Sequence, residues 1–151
     1  MRYLVLILFY FNLSAGLAQP GQARHWYFGT QAGLDFGTNP PVALTNGALT
    51  AFEGCATISD LNGNLLFYTN GNQVWDRSHQ TMSNGTGLNG DGLATQSTII
   101  VPGPGNPNLY YIFTVDTNGG PRGLCYSIRH EPKQWIWRGN DKKQSSGQSG
   151  Y

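Results

Sequence analysis

From His25 to Ile128 the apolar residues come in short runs, alternating or continuous, and each run is closed by a cluster of Gly, Asn, Asp or Pro. No stretch carries the period of an amphipathic helix, so the pattern predicts short strands joined by tight turns. Trp26-Tyr-Phe28 reads as an aromatic strand ending at Gly29, and the segment Ala32 to Thr45, with Gly33, Gly37 and Pro40-Pro41, reads as loop. The clearest element is a hairpin: Cys55 to Ser59, the turn Asp60-Leu-Asn-Gly-Asn64, then Leu65 to Thr69. Its Asn62-Gly63 dipeptide predicts a type I′ turn with positive φ at both central residues. A second turn, Asn70-Gly-Asn72, leads into Gln73 to Asp76 and completes a three-stranded meander. The same grammar then recurs as strand Gln96 to Val101, turn Pro102 to Asn108, strand Leu109 to Val115, turn Asp116 to Gly120 and strand Gly123 to Ile128.

Aligning Thr57-Ile58 with Ile99-Ile100 gives an offset of 42, and aligning Leu66-Phe67-Tyr68 with Tyr111-Ile112-Phe113 gives 45. That is the size of one four-stranded propeller blade, although two similar meanders in a sandwich give the same signal. The expected fold class is therefore all-β, with antiparallel strands in β-meanders making a partial, propeller-like structure of about two blades that is truncated at its C-terminal side. Two such units do not close a ring.

The ends change the picture. Arg2, the apolar run Tyr3 to Phe11, and the small residues Gly16 and Ala18 follow the order of a cleavable secretory signal peptide. The competing reading, a membrane anchor, needs ~20 apolar residues, and this run is far shorter. The expected divisions are 1–18 as signal peptide, 19–128 as the propeller-like fragment and 129–151 as a divergent tail. Export follows from the leader, with no membrane span once it is removed. Charged residues make up 11% of the chain and the net charge is +1, so the basic footprint of a nucleic-acid binder is absent.

Cys55 and Cys125 are the two cysteines. In an exported chain they permit a disulfide contributing ~4 kcal/mol in the chain-entropy model, or they are two small buried hydrophobes. No Cys or His spacing suggests zinc, and no cofactor motif is present.

The ordered strings Trp26-Tyr-Phe-Gly29, Ala32-Gly-Leu-Asp-Phe36, Pro40-Pro-Val-Ala-Leu44, Glu53-Gly-Cys-Ala-Thr-Ile-Ser-Asp60 and Gly63-Asn-Leu-Leu-Phe-Tyr-Thr69 are similar to the N-terminal region of large surface proteins of gliding and related bacteria. Val74-Trp75, Gly85-Thr-Gly87, Thr95-Gln-Ser97 and Pro104 to Val115 continue that resemblance to residue 128. It implies a β-propeller-like region at the start of a long protein, followed by PKD-type repeats and a gliding-associated or type IX sorting domain. None of those downstream parts is in this sequence. The function implied is adhesion or gliding-associated action at the cell surface, with a surface polysaccharide or another surface protein as partner, and periplasmic location for a chain without the sorting domain.

After Ile128 the composition shifts. Arg129 to Lys143 gathers charge, and Gln144 to Tyr151 is a Ser/Gly/Gln tail. Such a segment reads either as a basic, Trp-bearing arm or as a frameshift. Back-translated with AT-rich codons and read one base later, it gives Asp-Met-Asn-Leu-Asn-Asn-Gly-Phe-Gly-Glu-Val, which resembles a continuing strand and turn.

Candidate chemistry is sparse. Asp60 to Asn64 alternates oxygen ligands, but an EF-hand loop wants Gly and Glu where this chain has Leu65 and Gly71, and a plain turn accounts for it. Glu53, Asp60, Asp76 and Asp116 are available for a glycosidase pair, and most of them lie beside Gly or Asn, where turns explain them. His79 and several serines exist without a GxSxG elbow. Trp26, Trp75 and Tyr110 are the candidate ligand-stacking aromatics, with Tyr27 and Tyr111 beside them, and core packing is the competing use of the same rings. The expectation is a non-catalytic exported fragment that binds glycans or other surface polymers. The alternatives are a secreted carbohydrate-active or hydrolytic propeller enzyme and a non-functional truncated product.

Overall fold

The computed structural model describes residues 21–130 and 134–138; the expected leader and the rest of the tail lie outside the described residues. Three antiparallel sheets follow one another along the chain. The first holds β1 (His25–Phe28), β2 (Ala32–Asp35) and β3 (Val42–Leu44). The second holds β4 (Ala56–Ser59), β5 (Leu65–Thr69), β6 (Gln73–Asp76) and β7 (Thr81–Thr86), and the third β8 (Thr98–Pro102), β9 (Leu109–Val115), β10 (Leu124–His130) and β11 (Gln134–Arg138). Each is a simple meander in which spatial order equals chain order, and none closes on itself.

Four sequence expectations change. The segment Ala32 to Thr45 is not a loop but carries β2 and β3. Its glycine is a packing requirement: Gly33 lies opposite Tyr27, and a Cβ there would come within 2.6 Å of the Trp26 carbonyl oxygen. The β4–β5 turn is not type I′, because Gly63 has φ +85° while Asn62 keeps a negative φ. Asp60 instead accepts from the Gly63 N–H at 3.0 Å, which makes a three-residue turn with glycine in the left-handed position. The second meander gains a fourth strand, β7, and β10 continues past Ile128 to His130, where β11 pairs with it.

The second sheet is the centre of the molecule. Phe67 and Tyr68 are consecutive on β5 and both fully buried, so they point to opposite faces. Tyr68 joins Tyr27, Leu49, Ala51, Leu65 and Trp75 against the first sheet. Phe67 joins Ile58, Val74, Met82 and Leu88 against Tyr110 and Ile112 of the third. Burying rings and branched chains on both faces of one sheet supplies most of the hydrophobic driving force, at roughly 25 cal/mol per Å².

Side-chain contacts fix strand direction. Thr95 and Ser97, leading into β8, bond Glu53 and Gly54, leading into β4, so these first strands run the same way. In contrast, His25 meets Ser59 and Tyr27 meets Thr57, so β1 runs against β4. The internal repeat therefore relates the second and third sheets, and the first is built differently. Both cysteines are free thiols, Cys55 half-buried before β4 and Cys125 buried on β10.

Candidate functional site

The site grows out of two turns with the same hydrogen-bond plan. In the β4–β5 turn the Asp60 carboxylate accepts from the N–H groups of Asn62 (2.8 Å) and Asn64 (2.9 Å), while Asp60 N–H donates to the Asn64 carbonyl at 2.8 Å. In the β6–β7 turn the Asp76 carboxylate accepts from Ser78 (2.8 Å) and Gln80 (3.1 Å), and Asp76 N–H donates to the Gln80 carbonyl at 2.9 Å. The fourth residue is left-handed in both: Gly63 in the first turn, His79 with φ +60° in the second. A side chain at such a position costs on the order of 1–2 kcal/mol, so the imidazole is retained against a backbone preference for glycine.

The His79 ring is held on both sides. Nδ1 lies 2.9 Å from the Tyr68 hydroxyl, and Nε2 lies 2.8 Å from the side-chain amide nitrogen of Asn46. Tyr27 donates its hydroxyl to Asn46 Oδ1 at 3.2 Å, and the Tyr68 oxygen accepts the Ala48 N–H at 2.9 Å. With Asn46 Oδ1 taken as acceptor, its amide donates to Nε2, which places the proton of a neutral imidazole on Nδ1, facing Tyr68. The phenols are rigid: Tyr27 stacks on Tyr68 at 4.6 Å between centroids, and Tyr68 on Trp75 at 5.6 Å. Burial pushes both tyrosine hydroxyls above the ordinary phenol range.

This network walls a cleft of about 440 Å³ between the first two sheets, lined by Arg24, His25, Tyr27, Leu44, Asn46, Gly63, Asn64, Leu65, Arg77 and His79. Arg24 grips Asp35 with two nitrogens, at 2.7 and 2.9 Å, which holds the Asp35 carboxyl well below the usual carboxylate range. His25 contacts Ser59 through Nδ1 at 3.1 Å and lies 3.9 Å from Asp35 through Nε2. That trio has the composition of a hydrolytic triad but not its access: Ser59 is fully buried, and Asp35 is committed to Arg24. Burial is the main influence on His25 and lowers its pKa.

The residues nominated from sequence do not converge. Trp26 is half exposed on the outer face of the first sheet, leaning on Phe36 at 5.0 Å and donating its ring N–H to the Ala23 carbonyl. Trp75 is core between the first and second sheets, and Tyr110 is core between the second and third, edge-on to Phe67 at 5.4 Å. Glu53, Asp60 and Asp76 line three different clefts, and among the described residues none of these clefts has a second carboxylate in its lining. Asp60 and Asp76 organise their turns, and Asp116 accepts from the Thr117 N–H and pairs with Arg122 at 2.7 Å. Among the described residues no group of three or more His, Cys, Asp or Glu is placed to hold a metal, and no helix is long and apolar enough to cross a membrane.

Asn46 and Tyr68 were not nominated by the sequence, and His79 was weighed there only for a serine hydrolase. The signal that singles out His79 is a pair of turns of one design, Asp-x-x-Gly-x and Asp-x-x-His-x, in which a histidine takes a position that favours glycine. No protein-family model, curated protein or solved structure matches this chain.

Proposed function

We propose that this chain is a non-catalytic module of an exported protein that acts at the cell surface, in adhesion or gliding, and that it binds glycans or related surface polymers on a propeller-like scaffold. The observation that carries the binding reading is the cleft between the first two sheets. Its walls are hydrogen-bonding side chains locked by stacked rings, which is the pre-organisation a weakly interacting, hydroxyl-rich ligand needs. The propeller reading is supported by two successive four-stranded meanders whose first strands lie side by side in the same direction. Export rests on the leader pattern of Met1 to Ala18.

The test is a pull-down on insoluble polysaccharides run beside a panel of glycosidase substrates. Retention on a polymer without turnover is the expected result. Turnover that disappears in Glu53→Gln overturns it in favour of a carbohydrate-active enzyme.

A further inference from the structure

We infer that the cleft between the first and second sheets takes a uronate unit of an acidic polysaccharide, with the Arg77 guanidinium reading its carboxylate. The inference rests on the polymer-binding reading above and adds the place and the ligand class.

Charge singles out this cleft. Among the described residues two guanidiniums, Arg24 and Arg77, line it, and no Asp or Glu does. The neighbouring clefts of the second sheet each carry a carboxylate: Glu53 in one, Asp60 in another, and Asp76 in a third, whose wall Arg77 also joins from its other side without an ion pair to Asp76. Within the cleft the two arginines differ. Arg24 is neutralised by its two-nitrogen grip on Asp35. Arg77 is exposed and has no ion pair or hydrogen bond among the described residues. One uncompensated cation suits a single negative charge, and a planar guanidinium fits a carboxylate with two parallel bonds.

The rest of the wall suits a sugar ring. Asn46, Asn64 and Tyr27 are neutral hydrogen-bonding groups for hydroxyls, and Leu44 and Leu65 add apolar surface for a ring face. A volume of about 440 Å³ falls within the roughly 300–1,000 Å³ of small-ligand sites. His79 explains why Arg77 stays at the rim. Both belong to one turn, and the imidazole ties that turn to Asn46 and Tyr68, so the turn cannot swing away without breaking two hydrogen bonds. The strained backbone at His79 thus acquires a purpose, since a glycine would make the turn more easily but would leave it untied.

The experiment measures binding of the chain to polygalacturonate, to uncharged dextran and to dextran sulfate at low and moderate salt, for the parent chain, Arg77→Gln and Arg77→Lys. Expected is preference for polygalacturonate, a loss of ten-fold or more in Arg77→Gln, and a smaller loss in Arg77→Lys, which keeps the charge but not the paired geometry. Because Arg77 makes no side-chain bond among the described residues, the melting midpoint is expected to stay unchanged in both variants. Equal affinity for dextran and polygalacturonate, or polygalacturonate binding that survives Arg77→Gln, overturns the inference while leaving polymer binding standing. Dextran sulfate binding at least as tight as polygalacturonate, equally sensitive to Arg77→Gln, also overturns it by making the site a general anion patch. Binding to none of the three overturns both readings.

Discussion

At the scale of single residues, His79 offers a direct measurement of backbone strain against side-chain bonding. Replacing it by glycine relaxes the left-handed backbone but gives up the bonds to Asn46 and Tyr68; alanine gives up the bonds and keeps the strain. In urea melts His79→Gly is expected to lose about 1–2 kcal/mol and His79→Ala roughly 1 kcal/mol more. Alanine equal to or better than glycine would remove the strain argument. His25 and Asp35 set a pH signature. Burial lowers the His25 pKa, so the unfolded chain, titrating near ~6.5, takes up the proton first, and stability declines as pH falls through that value. Below that, the depressed Asp35 carboxyl contributes stability that is present above its unfolded value of ~3.9 and drains away as pH falls further. His25→Gln should flatten the first limb of the stability profile and Asp35→Asn the second. Acid profiles of the two variants that overlay the parent's would show that neither group couples to folding.

At the scale of elements, what the sequence revealed depended on who occupied each strand. β5, β6 and β9 were legible because aromatic and β-branched runs sat between Asn- and Gly-rich turns. β7 was not, since Ser83-Asn84-Gly85 reads as a turn; in the fold Asn84 is left-handed and Gly85 lies so close to the Met82 and Val74 carbonyls that a Cβ would come within 3.0 Å of each, which makes this a bulged strand. β2 and β3 were hidden for a related reason: Gly33 and the Pro40-Pro41 pair dominate the local composition, although Gly33 serves packing against Tyr27. Of the site, the aromatic content was visible but not the division of rings between core and surface, which depends on which sheet covers which face. Tyr68 measures that division. Tyr68→Phe keeps the stack on Tyr27 and Trp75 but leaves the Ala48 N–H and the His79 ring without their partner, an expected cost of about 1–3 kcal/mol in a thermal melt. Phe67→Ala, one residue away on the opposite face, is expected to cost about 3–5 kcal/mol, because a fully buried ring leaves a cavity. Similar values for the two would contradict the reading that the Tyr68 hydroxyl acts through two hydrogen bonds and Phe67 through the packing of its ring.

At the scale of the whole molecule, the outer face of the third sheet presents apolar surface among the described residues. Tyr111, Phe113, Tyr126 and Ile128 line a shallow groove there, and Ile99 and Leu124 are 58% and 54% exposed. Such a face promotes association. The double variant Ile99→Thr, Leu124→Thr is expected to lower light scattering at high protein concentration with little change in melting midpoint, and unchanged scattering would place the association elsewhere. The meander order of all three sheets has a kinetic consequence of its own. Every strand pairs with its neighbour in sequence, and the Asp60 and Asp76 turns are stapled by the side chain that opens them, so each hairpin can close over a short loop without waiting for distant chain. Sheet formation is then a series of local events, and contacts between the sheets, such as the docking of Tyr27 on Tyr68 and of Ile112 against Phe67, require separate meanders to meet. Folding should be quick for an all-β chain, with amide exchange falling into cooperative blocks that follow the three sheets.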